Sequence, residues 1–132
     1  MSKKHYNVVC AIIKKDDKIL SVKRPDKGEV GLKWEFPGGK IEHGETMEEA
    51  IIREIKEELS CDIKVTKFLG TIFHEYESFD ITLSGLLCEI VKGEIKLTEH
   101  IDMCWANKNE LNTLDLSDAD LILIQKFNPF NI

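Results

Sequence analysis

Residues 38–61, GGKIEHGETMEEAIIREIKEELSC, constrain this chain more than any other stretch. Two glycines open it. Thr46-Met47-Glu48-Glu49 then matches a capping box and predicts a helix over 47–59. Glu54, Glu57 and Glu58 stand at i, i+3, i+4, so at about 100° per residue they share one face. Ile51, Ile55 and Leu59 occupy the adjoining arc, and the acidic stripe therefore borders the buried face instead of opposing it. Like charges at i, i+4 cost roughly 0.2–0.5 kcal/mol per pair in a solvated helix, and more when desolvated. A divalent cation relieves that repulsion. Carboxylate oxygens with no His or Cys among them favour Mg²⁺ or Mn²⁺ over Zn²⁺. Runs such as REIKEE also occur on plain solvated helix faces, with Lys paired at i+4. The glycine loop and Glu45 ahead of the helix turn the reading toward metal.

Gly39, Glu45, Arg53-Glu54, Ile55, Glu57-Glu58 and Leu59 fall at the spacing that closes, in a known signature, with Gly and an aliphatic residue. That signature belongs to the Nudix hydrolases, and the chain resembles them over nearly its whole length. Trp34-Glu35-Phe36-Pro37 and the order of elements look like the MutT-type branch. Ser60 and Cys61 depart from the pattern, where Gly and an aliphatic residue are expected. A serine in the left-handed conformation that a glycine would take costs on the order of 1 kcal/mol. The departure concerns the helix end and leaves the acidic set intact.

The resemblance implies an α/β chain with the Nudix fold, an α/β/α sandwich around a mixed sheet, as a single domain over 1–132. It implies hydrolysis of a nucleoside diphosphate linked to a further group. For a MutT-like member this is a (deoxy)nucleoside triphosphate, cut to the monophosphate and pyrophosphate in nucleotide-pool sanitisation. Mg²⁺, or Mn²⁺, is the expected cofactor, held by Glu54, Glu57, Glu58 and a Gly39 carbonyl, with Glu99 joining from a loop before Trp105. Glu54 is the expected general base, with Glu57 in reserve. Arg53 orients a carboxylate of the motif and Glu45 supports the loop. Arg24, Lys40, Phe36, Phe79 and Asp120 form the expected substrate-contacting set, and Asp120 would face the base. Oxidised dGTP and cytidine triphosphates such as CTP both stay open as substrates. So do three other readings: a Nudix enzyme for ADP-ribose or a dinucleotide, a non-catalytic nucleotide-binding module, and a simple cation-binding domain.

Each of these residues also has a plainer reading. Arg24 and Lys23 end a strand and can be solvated cations; Phe79 can be core. Gly38-Gly39 can be a tight turn, Glu99 a surface carboxylate, and Asp120 a residue favoured by a helix dipole. His74 alternates on a strand without a second His at metal spacing, which fits a satisfied polar side chain.

A formal charge of −6 with no basic stripe argues against a nucleic-acid polymer as partner, though not against a nucleotide. The four cysteines are scattered without a CxxC pair and are expected as reduced thiols. The start MSKKHYNVV lacks a signal-peptide pattern, and no apolar run reaches membrane-spanning length. A cytoplasmic monomer or homodimer without membrane contact is the expectation.

Along the chain, 6–14 reads as a buried strand and 19–23 as its hairpin partner across a polar turn. Residues 26–33, with two glycines, suit a flap at a substrate entrance or an ordinary loop. Strands are expected at 34–36, at 63–76 with a bend at Gly70, and at 79–91. A short helix or turn follows at 108–114, then a helix over 119–127 capped by Ser117-Asp118. Alternating strands and two good helices predict a mixed sheet with a helix on each face.

Overall fold

The computed structural model describes residues 3–131; Met1, Ser2 and Ile132 of the expected domain lie outside the described residues. Among the described residues seven strands form one sheet in the order β3-β2-β1-β6-β5, with β4 on β1 and β7 on β2. β1 (Lys4–Lys15) is the central strand, and it runs parallel to β6 (Phe79–Lys92). β5 (Asp62–Glu75) pairs antiparallel with β6 at the sheet edge. On its other side β1 pairs first with β4 (Gly38–Lys40) and then, at Lys14 and Lys15, with β2 (Lys18–Lys23). β3 (Trp34–Glu35) and β7 (Asp102–Ala106) both pair with β2. The sheet is mixed, as the alternation of elements predicts.

The pleat divides the core in two. Val9, Ala11 and Ile13 of β1 face α1 (Met47–Leu59), where Ala50, Ile51, Ile55 and Leu59 meet them. Cys10 and Ile12, one residue out of step, face α3 (Asp118–Lys126) and its Ala119 and Leu123. A short α2 (Lys108–Leu111) precedes α3, and a 3-10 turn (Pro129–Asn131) closes the described chain. Among the described residues no helix is long and apolar enough to cross a membrane.

α1 has the predicted bounds. The Thr46 hydroxyl accepts from the Glu49 N–H, and the Glu49 carboxylate accepts from the Thr46 N–H, so the capping box is complete. Ser60 takes the left-handed conformation, φ 60° and ψ 27°, and its N–H reaches the Lys56 carbonyl. The helix thus stops where a glycine would have stopped it, with a side chain bearing the strain.

The structure differs from the sequence expectation in several places. β3 ends at Glu35, because Phe36 turns its N–H to a side chain and Pro37 has none. The glycine loop contains a true strand, β4, and Cys104-Trp105 lie in a strand, β7, for which the sequence sets no expectation. β5 runs as one strand, and the bend expected at Gly70 takes the form of a register shift between Phe68 and Gly70. Ser117 is the N-cap of α3 by backbone only: its hydroxyl donates to Asp120 Oδ1, and Tyr76 Oη accepts the Ala119 N–H in its stead.

Two isoleucines of α1 test the layering. Ile55 is fully buried, whereas Ile52 is 39% exposed. Ile55→Ala is expected to lower unfolding free energy by about 2–5 kcal/mol, and Ile52→Ala by less than about 1 kcal/mol, in urea titrations read by circular dichroism.

Candidate active site

Arg53 joins the pieces of the acidic motif. Its Nε and NH2 donate to the two oxygens of Glu45 at 2.6 and 2.8 Å, a bidentate pair. NH2 also donates to the Lys40 carbonyl at 3.1 Å, and NH1 to Glu54 Oε1 at 2.9 Å. Glu57 is reached only at 3.4 Å. The guanidinium therefore ties the loop before α1, the end of β4 and the helix face into one unit. Its hydrogen bonds to Glu45, foremost, raise its pKa further. In return Arg53, followed by the Glu42 N–H, pulls the Glu45 pKa from 4.5 down to about 2.

The glycines are there for close approach. A Cβ on Gly39 would overlap the Glu54 carboxylate, and one on Gly38 would overlap the Val9 carbonyl. The ladder then decides which carbonyl is free. Pro37 O accepts the Ala11 N–H and Ile41 N–H donates to Asn7 O, so residues 37, 39 and 41 turn their backbone groups toward β1. The Gly39 carbonyl, expected as a metal ligand, faces Val9 in that register. Gly38 and Lys40 turn theirs outward, and the Lys40 carbonyl meets Arg53.

Beside this unit opens a cavity of about 780 Å³. Glu35, Glu58, Glu99, Gly38, Gly39 and Lys40 line it, as do Tyr6, Phe36, Tyr76, Phe79, Ser117 and Asp120. Arg24 and His100 complete the wall between β2 and β7. Of the expected residues, Glu54 (14% exposed) lies against the cavity-lining Gly39 but, like Glu57 (60% exposed), does not itself line the cavity. Arg24 NH1 is held by Glu35 at 3.3 and 3.4 Å, and the Lys40 ammonium sits 4.1 Å from the Tyr6 ring centre. Phe36 is buried, its N–H donating to Asp120 Oδ2 at 2.8 Å. His74 lies outside the cavity wall, 3.7 Å from Asp118. Residues 27–30 of the glycine-bearing loop belong to the wall. There Glu29 accepts the N–H groups of Glu77 and Ser78 and the Ser78 hydroxyl, which pins the loop to the turn between β5 and β6.

The wall is acidic. Its carboxylates are Glu29, Glu35, Glu58, Glu99 and Asp120, against the cations Arg24, Lys27 and Lys40. Burial first, then the charges of Glu35, Glu54 and Glu99, pushes Glu58 up to about 9. Burial and then Glu35 push Asp120 to about 7, against the opposing Phe36 N–H, Ser117 hydroxyl and Arg24. Glu58 Oε2 is buried and has no hydrogen-bond partner among the described residues. No three of these groups already stand together as a metal cage among the described residues. Crowded hard oxygens with an orphaned carboxylate oxygen nonetheless suit an oxygen-seeking divalent cation, which would restore Glu58 to its charged form.

Glu35, His100, Tyr76, Tyr6 and Ser117 belong to the wall but carry no spacing signature. Glu35 was legible only as part of the Trp34-Phe36 run, and His100 only as the neighbour of Glu99.

The Glu45–Arg53 pair has a pH signature. Because the folded pKa of Glu45 lies below its ordinary value, its stabilisation is full above about pH 4.5 and is lost as pH falls toward about 2. Urea titrations between pH 6 and 2.5 should show wild type more stable than Glu45→Gln at the upper end, with the gap closing on acidification.

Comparison with known proteins gives the chain's relatives. The family model described as NUDIX domain matches residues 8–126. The CTP pyrophosphohydrolase of Escherichia coli K12 is 32% identical over 124 residues, covering 94% of this chain and 92% of that protein. The 8-oxo-dGTP diphosphatase of Proteus vulgaris is 38% identical over 105 residues, covering 79% and 92%. The solution structure of DNA mismatch repair protein MutT, a Nudix hydrolase of methicillin-resistant Staphylococcus aureus 252, superposes with a TM-score of 0.75 at 43% identity, covering 96% of this chain and 97% of that one. With the acidic helix, its arginine brace and the sandwich around it in place, the chain belongs to the Nudix hydrolase family.

Proposed function

We propose that this enzyme hydrolyses a (deoxy)nucleoside triphosphate to the monophosphate and pyrophosphate in a Mg²⁺-dependent reaction. The observation that carries the reading is one cavity whose wall joins crowded carboxylates to an aromatic group. Phe79 contacts both Tyr6 and Tyr76 there, with ring centres 5.6 and 4.7 Å away, and the group offers a surface for a base. Its volume suits a nucleotide. Two relatives described above are named for CTP and 8-oxo-dGTP, which supports the same substrate class.

Glu54, Glu58 and Glu99 would hold the cation, with Glu57 approaching from the solvent side and the outward Gly38 carbonyl replacing the expected Gly39. When bound, Mg²⁺ neutralises phosphate charge and acidifies water. Glu54 is the general base. Arg53 holds its Oε1, leaving the other oxygen to accept the proton of the attacking water. Arg24 and Lys40 meet phosphate oxygens, and Arg53 with Glu45 keeps the loop and helix in register. Asp120, its oxygens fixed by Phe36 and Ser117, accepts from an exocyclic amine, which cytosine and guanine carry and uracil does not.

A panel of 8-oxo-dGTP, dGTP, CTP, dCTP and UTP, with pyrophosphate and phosphate release measured separately, tests the reaction. Pyrophosphate release that stops on chelation is expected; phosphate release alone, or turnover unaffected by chelator, overturns the reading. Glu54→Gln should lower kcat by about 10²–10⁴-fold in the same assay.

Asp120 gives a second test. Its carboxylate becomes charged as pH rises through about 7, so the ratio of kcat/KM for CTP over UTP should climb between pH 6 and 8. Asp120→Asn should flatten that climb and remove about tenfold of the preference.

A further inference from the structure

We propose that His100 is a positioning residue: by holding the Glu35 carboxylate it sets the place of the Arg24 guanidinium at the cavity wall. The inference rests on the nucleotide reading above. Three chain segments converge to build the contact. Arg24 directly follows β2, Glu35 ends β3, and His100 lies two residues before β7. Lys23 pairs with both Trp34 and Asp102, and the Ile101 N–H donates to the Lys23 carbonyl at 3.0 Å. The sheet register thus brings all three side chains to one corner of the cavity wall.

The distances rank the partners. His100 Nε2 stands 2.9 Å from Glu35 Oε2, whereas Arg24 NH1 stands 3.3 and 3.4 Å from the two oxygens. A bond near 2.9 Å to a carboxylate is a strong one, and one near 3.4 Å is weak. The imidazole therefore fixes the carboxylate, and the carboxylate steers the guanidinium. The His100 side chain is only 6% exposed, which leaves it little rotational freedom, and Glu35 is its hydrogen-bond partner among the described residues. Arg24 Nε is buried without a partner among the described residues. The guanidinium is thereby held at the wall.

The test compares wild type with His100→Ala, His100→Asn, His100→Gln, Glu35→Gln and the double variant His100→Ala/Glu35→Gln. Kinetics on the best nucleoside triphosphate of the panel are paired with equilibrium binding of a non-hydrolysable nucleoside triphosphate analogue in Mg²⁺. His100→Ala and His100→Asn should raise KM and weaken analogue binding about tenfold, the scale of one charge-assisted hydrogen bond, with kcat moved far less. The longer amide of His100→Gln reaches Glu35 and should restore most of the loss. The double variant should be no worse than Glu35→Gln alone, because both act through one contact. Wild-type KM and analogue binding in His100→Ala overturn the proposal, as do additive effects in the double variant. If His100→Ala does not fold, equal behaviour of the Asn and Gln variants overturns it. Wild type that binds the analogue but turns over no triphosphate rejects the hydrolase reading and leaves the binding comparison to decide on His100. Wild type that binds no nucleotide rejects both.

Discussion

The guanidinium of Arg53 is the interaction on which the site depends. It reaches Glu45 ahead of α1, the Lys40 carbonyl at the end of β4 and Glu54 on the helix itself. Without it the acidic stripe would be a set of like charges on one helix face, each free to swing away from the others. A bidentate arginine contact has a fixed planar geometry, so it transmits direction as well as charge. Lysine could neutralise the stripe without giving it a shape. The helix and the glycine strand are thus held at one spacing, close enough that a side chain on Gly39 would displace the Glu54 carboxylate.

That closeness creates the electrostatic tension beside it. Burial first, and then Glu35, Glu54 and Glu99, drive Glu58 toward its neutral form, and burial followed by Glu35 does the same to Asp120. A fold selected only for stability would place apolar groups there, since an unpaired buried carboxylate is costly. The arrangement makes physical sense as a receptor for positive charge that arrives with the ligand. A polyphosphate alone would be repelled by the wall, and a cation alone would leave the aromatic surface unused. The two together satisfy both.

What was legible in the sequence was whatever local periodicity and capping chemistry decide. α1 has its predicted bounds because the capping box and the isoleucine spacing are local, and the glutamate stripe follows from its angle. The two-sided core follows from the run in β1, where alternate residues must face opposite helices. What was not legible depends on partners far apart in the chain. β4 and β7 are too short to show a period and exist because β1 and β2 offer edges to pair with. The Gly39 carbonyl was misplaced because its direction is set by register with Val9, which spacing along one strand does not report. Ser117 has every local mark of a helix cap, yet Tyr76, 43 residues away from Ala119, takes that task and frees the serine for Asp120. Glu35 and His100 are 65 residues apart and become neighbours only through β2.

The geometry of the cavity comes from a change of partner along β1. Residues 8–10 are paired with β4, and residues 14 and 15 with β2, so the strands on that side leave β1 in two directions. Segment 34–40 must cross between them. It begins in the β2 ladder at Trp34, passes through Phe36 and Pro37, and enters the β1 ladder at Gly38. A proline that cannot donate and glycines that can approach closely make such a crossing feasible over few residues. The crossing sets Glu35 on the β2 side, Phe36 against Asp120, and Gly39 against Glu54. Under the proposed function, substrate recognition and charge chemistry are mounted on one short piece of backbone anchored at both ends. A shift of that piece would disturb the acidic and the aromatic walls together, which explains why its residues are held by ladder, arginine, histidine and helix at once.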